Sequence, residues 1–173
     1  MGDEFWASVL ERSIDWGCLS EASLIDSPDQ ALFTVQMLLE LLSFVRLVEE
    51  SSLLGESGYG KLPAADKITL LCSRSEQVVR VQDMGDGLVQ SFCQANSVNT
   101  VGELIAVLRN KLTHPTKRNR EYLDRVAPSV KYAAAQIGQQ IAALTILRVI
   151  GYRGMYYDIP DHEAKMVPWV TSA

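Results

Sequence analysis

The stretch SPDQALFTVQMLLELLSFVRLVEE, Ser27 to Glu50, decides the fold class. Ser27 can cap a helix, Pro28 suits the first helical position, and Gln30 completes a capping box. Leu32, Phe33, Val35, Leu38, Leu39, Leu41, Leu42, Phe44, Val45 and Val48 then cover most faces of the helix. A helix that is apolar nearly all round lies at the centre of a bundle or faces a second subunit. Its apolar part, Ala31 to Val48, approaches the length of a membrane span but contains Gln36, Glu40 and Arg46. A charge at a bilayer centre costs about 2.5–3.5 kcal/mol. The segment is therefore read as a buried helix, and no membrane partner is expected.

Outward from this helix the pattern stays helical. Gly55 to Gly60 reads as a flexible loop. Gly55 to Lys61 fits G-x-x-x-x-G-K, but Leu62 stands where a phosphate-binding loop needs Ser or Thr, and a helix precedes it instead of a strand. Helices are expected from Pro63 to about Ser73, over Gly87–Ala95, and from Asn99 to about Thr113. Pro115 ends the last of these, because the residue before proline disfavours helical geometry. The pattern resumes at Arg118, restarts at Pro128, and runs to about Ile150 as an Ala-rich helix. Tyr122, Val126, Val130, Ala133, Ile137, Ile141 and Leu144 recur along it every three or four residues. Residues 151–173 are expected to pack irregularly through Tyr152, Tyr156 and Trp169. The fold class is all-α, a bundle of four to five main helices. Residues 1–27 form an N-terminal extension, and the 173 residues form a single domain.

Composition narrows the setting. Hydrophobic residues are 47% of the chain, ordinary for a globular protein. Cys18, Cys72 and Cys93 are widely spaced and odd in number, so neither a disulfide framework nor a zinc ribbon is indicated. Free thiols fit a reducing cytoplasm, the expected location. The start, MGDEFWASVLERS, is acidic and does not read as a secretory signal. Net charge is −5, yet Arg109, Lys111, Lys117, Arg118, Arg120 and Arg125 face only Glu121 and Asp124 within residues 109–125. A local excess of four positive charges is a candidate phosphate-binding patch. A solvated helix end is the plainer alternative.

The chemically loaded segment is Arg109 to His114, R-N-K-L-T-H. On a helical wheel Val101, Leu104, Ile105, Leu108 and Leu112 make the core stripe. Asn110 and His114 are four apart and share a face directed away from it. Arg109 lies on the flank beside Thr113. A histidine satisfied inside the core fits this placement poorly. Cations that settle a helix C-terminus fit it better and stay open as an alternative.

R-N-x-x-x-H at the end of an amphipathic helix, late in an all-helical chain, resembles the motif of the HEPN superfamily. The long helix with Glu40, the Leu62–Ser73 helix, the motif, Gly151–Tyr157 (GYRGMYY) and Val167-Pro168-Trp169 together resemble the C-terminal HEPN domain of ApeA-type abortive-infection proteins. The likeness covers residues from about 28 to 169. It implies a HEPN-like bundle and a metal-independent endoribonuclease acting on tRNA or other structured RNA in phage defence. Attack by the ribose 2′-hydroxyl would leave a 2′,3′-cyclic phosphate, with neither cofactor nor metal. His114 would be the general acid/base, suited by an ordinary imidazole pKa of about 6.5. Arg109 would stabilise the phosphorane, and Asn110 would orient phosphate or imidazole. Lys111, Thr113, Lys117, Arg118 and Arg120 would hold RNA.

Arg109 and His114 are five residues apart, about 140° around an ideal helix. HEPN enzymes pair two motifs across a twofold axis, so a homodimer with a composite site is expected. The resemblance also implies an N-terminal sensor region outside these residues. Three departures stand against this reading: the short Arg–His gap, Pro115 directly after His114, and the acidic net charge. The competing reading is a non-catalytic HEPN-like module that dimerises or binds a nucleotide or RNA. A metal site at Asp158, Asp161, His162 and Glu163 is a weaker alternative to a solvated tail.

Overall fold

The computed structural model describes residues 27–114, 116–158 and 162–170. The expected N-terminal extension, with Cys18, lies outside the described residues. The class is all-α. Helix α1 spans Pro28–Phe44 and continues as a π-helical turn, Val45–Glu50. Then follow α2 (Glu56–Gly60), α3 (Ala64–Arg74), α4 (Gly87–Ala95), α5 (Val101–Thr113), α6 (Lys117–Arg125) and α7 (Pro128–Val149). A small antiparallel hairpin closes the order, β1 (Met155–Asp158) and β2 (Glu163–Met166), with Met155 opposite Met166.

The bundle is built on α1 and α7, which pack along each other, with α3 and α5 against α1. Leu32, Leu39, Ile68, Leu71, Leu104, Ile105 and Leu108 are fully buried in one cluster. Removing each such side chain from water contributes about 1.5–3 kcal/mol. Pro28–Glu50 is long and apolar enough to cross a membrane by length and composition. Here its buried residues, including Leu32, Val35, Leu39 and Leu42, belong to the bundle core.

Two glycines set how closely the helices approach. A Cβ on Gly138 of α7 would stand 2.1 Å from Val35 Cγ1 of α1. One on Gly102 of α5 would stand 2.2 Å from the Ala65 carbonyl oxygen of α3. In both places backbone meets its neighbour with no room for a methyl group.

Three sequence expectations change. Ser27 is the N-cap of α1, but its side chain makes no capping bond, so the Ser27/Gln30 box does not form. The Ser27 carbonyl accepts from Ala31 N–H instead, and Asp29 pairs with Lys131 of α7 at 3.0 Å. The expected loop at Gly55–Gly60 is the short α2, because buried Tyr59 anchors it. The Tyr59 hydroxyl donates to the Glu40 carbonyl at 2.6 Å and meets Ser43 Oγ at 2.6 Å. Burial, the largest cause, pushes the Tyr59 phenol up from its ordinary pKa. The expected irregular tail contains the hairpin, whose strands are too short to show an alternating pattern. The helix expected to end at about Ser73 does so, at Arg74, and Glu76 then turns left-handed at φ 55°.

The capping box that does form is at α5. Thr100 accepts from Glu103 N–H at 3.1 Å, and Glu103 accepts from Thr100 N–H at 3.1 Å. An antiparallel bridge between Arg80 and Thr100 fixes the same helix start.

Glycine to alanine inside a helix ordinarily stabilises by about 1 kcal/mol. Gly138→Ala and Gly102→Ala are expected to do the reverse, each costing about 1–3 kcal/mol through overpacking. Gly58→Ala, with nothing near its Cβ position, serves as the control in chemical denaturation and should not destabilise.

Candidate functional site

The site is the C-terminal turn of α5 and the start of α6. Leu104, Ile105 and Leu108 hold α5 in the core, which leaves the other face of its last turn outside. Asn110 and His114 are exposed there. Arg109 is half-buried, and its guanidinium carbon lies 5.2 Å from the Phe33 ring centroid on α1. Its Nη1 donates to Asn110 Oδ1 at 3.4 Å, while its Nε is buried without a hydrogen-bond partner among the described residues. Arg109 is thus held by stacking on an aromatic face and by its sequence neighbour.

His114 is the C-cap residue of α5. Its N–H donates to the Asn110 carbonyl at 3.2 Å. Its carbonyl accepts from Asn119 Nδ2 at 2.7 Å and from Thr116 N–H at 2.7 Å. The backbone of the histidine is pinned on both sides while its ring faces outward. Pro115 lies outside the described residues. No hydrogen bond joins Arg109 to His114 among the described residues, in keeping with their separation around the helix.

The cationic side chains divide. Lys111 Nζ donates to Asn119 Oδ1 at 3.2 Å and sits 5.3 Å above the Tyr122 ring. Thr113 Oγ1 donates back to the Arg109 carbonyl at 3.2 Å. Both are therefore partly committed to the protein. Lys117 pairs loosely with Glu121 at 3.9 Å, and Arg118 and Arg120 are exposed on α6. Charges in such a position gain little from their own pairs and stay accessible to phosphate.

Two positioning residues escape a motif search. Asn119 ties Lys111 to the carbonyl of His114, and Phe33 supplies the surface on which Arg109 lies. Thr116 capping Asn119 N–H at 3.2 Å is the local signal that would have found the first. Nothing in the sequence near the motif announces the second, which comes from another helix.

Other chemistries find less support. Cys72 and Cys93 are buried, and burial, the largest cause, pushes their thiols up to about 12 and about 11. Such thiols stay protonated and unreactive near neutral pH. At the hairpin, Lys165 pairs with Asp158 at 3.2 Å and Glu163 at 3.4 Å. His162 Nδ1 lies 3.5 Å from the Tyr157 hydroxyl. Among the described residues no group of three ligating side chains is placed to hold a metal ion, and Asp161 lies outside them.

Comparison with protein families gives a match to the family described as YopA C-terminal domain, over residues 3–167. The match covers most of the chain, and the chain belongs to that family. Neither curated proteins nor solved structures give a match.

Asn119→Ala removes the bond to the His114 carbonyl and frees Lys111. It should cost about 1 kcal/mol of stability and speed amide exchange at Thr116, with α1 and α7 unchanged. Hydrogen exchange read by NMR or mass spectrometry checks this.

Proposed function

We propose that this member of the YopA C-terminal domain family is a HEPN-like, metal-independent endoribonuclease. The observation that carries the proposal is the end of α5. Arg109, Asn110 and His114 stand there at one exposed helix terminus, beside the cationic surface of α6, in an all-helical bundle. A 2′-hydroxyl attacks the adjacent phosphorus as a base accepts its proton. The phosphorus–5′-oxygen bond breaks, and the leaving oxygen takes up a proton. The products are a 2′,3′-cyclic phosphate and a 5′-hydroxyl. His114 is assigned to proton transfer, Arg109 to the charge on the phosphorane, and Asn110 to orientation. Lys117, Arg118 and Arg120 hold flanking phosphates, with Lys111 and Thr113 in supporting places. An intracellular role in defence against phage, with tRNA or other structured RNA as substrate, belongs to the same proposal.

The separation of Arg109 from His114 is met by a homodimer. Phe33, Met37 and Leu41 recur every four residues on α1 and are 39%, 57% and 39% exposed. This apolar stripe borders the motif, because Phe33 carries Arg109. An isologous contact along it brings two motifs toward one twofold axis, so that one cleft draws residues from both protomers. Regulation by a sensor region fused elsewhere in a longer chain fits the same arrangement.

In EDTA, the protein is expected to cleave total tRNA to fragments with cyclic phosphate ends. His114→Ala and Arg109→Ala should each lower the rate by at least about 100-fold with circular dichroism unchanged. No cleavage by wild-type protein would favour a non-catalytic dimerisation or RNA-binding module instead.

Met37→Glu places a charge in the centre of the stripe at an exposed position. It should convert the dimer to a monomer in light scattering at micromolar concentration, and cleavage should fall with it. A wild-type protein that is monomeric there rules out the composite site.

A further inference from the structure

A cavity of about 360 Å³ lies away from the motif between α7, the Glu76–Gly85 segment and the terminal hairpin. Its volume is that of small-molecule sites, which begin near 300 Å³. Ile141 and Leu144 of α7 make an apolar floor. The floor is held in place from beneath the loop. Gln77 Nε2 donates to the Ile141 carbonyl at 3.2 Å and to Thr145 Oγ1 at 3.0 Å. The left-handed Glu76, at φ 55°, turns the chain out of α3 across the mouth.

The rim is charged and unbalanced. Glu76, Asp83 and Asp158 line it together with Lys165. Glu76 holds Arg148 at 2.5 Å, and Lys165 is shared between Asp158 and Glu163. Among the described residues the lining thus sets three carboxylates against one ammonium, a surplus of two negative charges above an apolar floor. The exposed Asp83 is not in any of these pairs. A ligand that suits both parts has a flat apolar body and a positive charge at one end.

We propose that this cavity binds a small organic amine with an aromatic body. The ring rests on Ile141 and Leu144, and the ammonium group faces the rim carboxylates, Asp83 foremost. The site is independent of the ribonuclease reading and is tested without any cleavage assay.

The test is isothermal titration calorimetry with two probes that share a ring and differ in charge, tryptamine and indole-3-acetate. Tryptamine is expected to bind one per chain. Indole-3-acetate should bind at least about tenfold more weakly, since like charges would then meet at the rim. Asp83→Asn, a change at an exposed side chain, should weaken tryptamine several-fold. Val78 lines the mouth and is 47% exposed. Val78→Trp should block the cavity while leaving the melting temperature within a few degrees of wild type. No tryptamine binding at millimolar concentration, equal binding of the two probes, or binding indifferent to both substitutions overturns the proposal.

Discussion

The contact between Gly138 of α7 and Val35 of α1 sets the geometry on which the rest depends. With no Cβ at 138, the two longest helices come close enough for a valine methyl to occupy the space a side chain would need. Their apposition buries Leu32, Leu39, Ala134 and Ile141 together and gives α3 and α5 a common wall. Gly102 repeats the device one layer out, seating α5 on α3. Close packing of this kind tolerates little change in volume, so the position of α5 is fixed by backbone contact as much as by apolar burial. The candidate site inherits that fixity, because it is the last turn of α5.

Some of the polar groups carried inside find partners that also join elements. Glu40 of α1 is the clearest case. Its carboxylate accepts from Gln36 Nε2 at 2.7 Å and pairs with Lys67 of α3 at 3.5 Å, while its carbonyl accepts from the Tyr59 hydroxyl. Lys67 in turn lies 4.5 Å over the Tyr59 ring. A charge in the middle of an apolar helix thus becomes the point where α1, α2 and α3 are tied together. The same reasoning explains why α2 is ordered despite three glycines in Gly55–Gly60.

At the α5–α6 turn the division of labour is between groups that hold and groups that face outward. Asn119, Thr116 and Tyr122 hold, and they do so through the backbone of His114 and the ammonium of Lys111. The His114 ring, the Asn110 amide and the arginines of α6 face outward. Arg109 belongs to both sets, since it stacks on Phe33 at the edge of an exposed apolar stripe. The motif and the α1 surface are therefore physically connected, because the arginine lies at the border of the exposed apolar stripe.

The sequence alone determined the class of fold and the face on which the motif stands. Helical periodicity is local, and the stripe Val101, Leu104, Ile105, Leu108 follows from 3.6 residues per turn whatever packs against it. Proline at 28 and 128 marked helix starts for the same local reason, and Gly87–Ala95 was legible as a helix. The departures have different physical causes. The capping bond at Ser27 does not form, and the helical order of α2 comes from Tyr59 reaching a carbonyl 19 residues away. The hairpin strands, four residues each, carry too little pattern to be read. Tertiary structure decided that Arg109 rests on Phe33, that Asn119 restrains His114, and that a cavity opens between α7 and the hairpin. The first and the last of these join residues far apart in the chain, and their spacing depends on where whole helices come to rest. That is set by the volumes at Gly138 and Gly102, which no local pattern encodes.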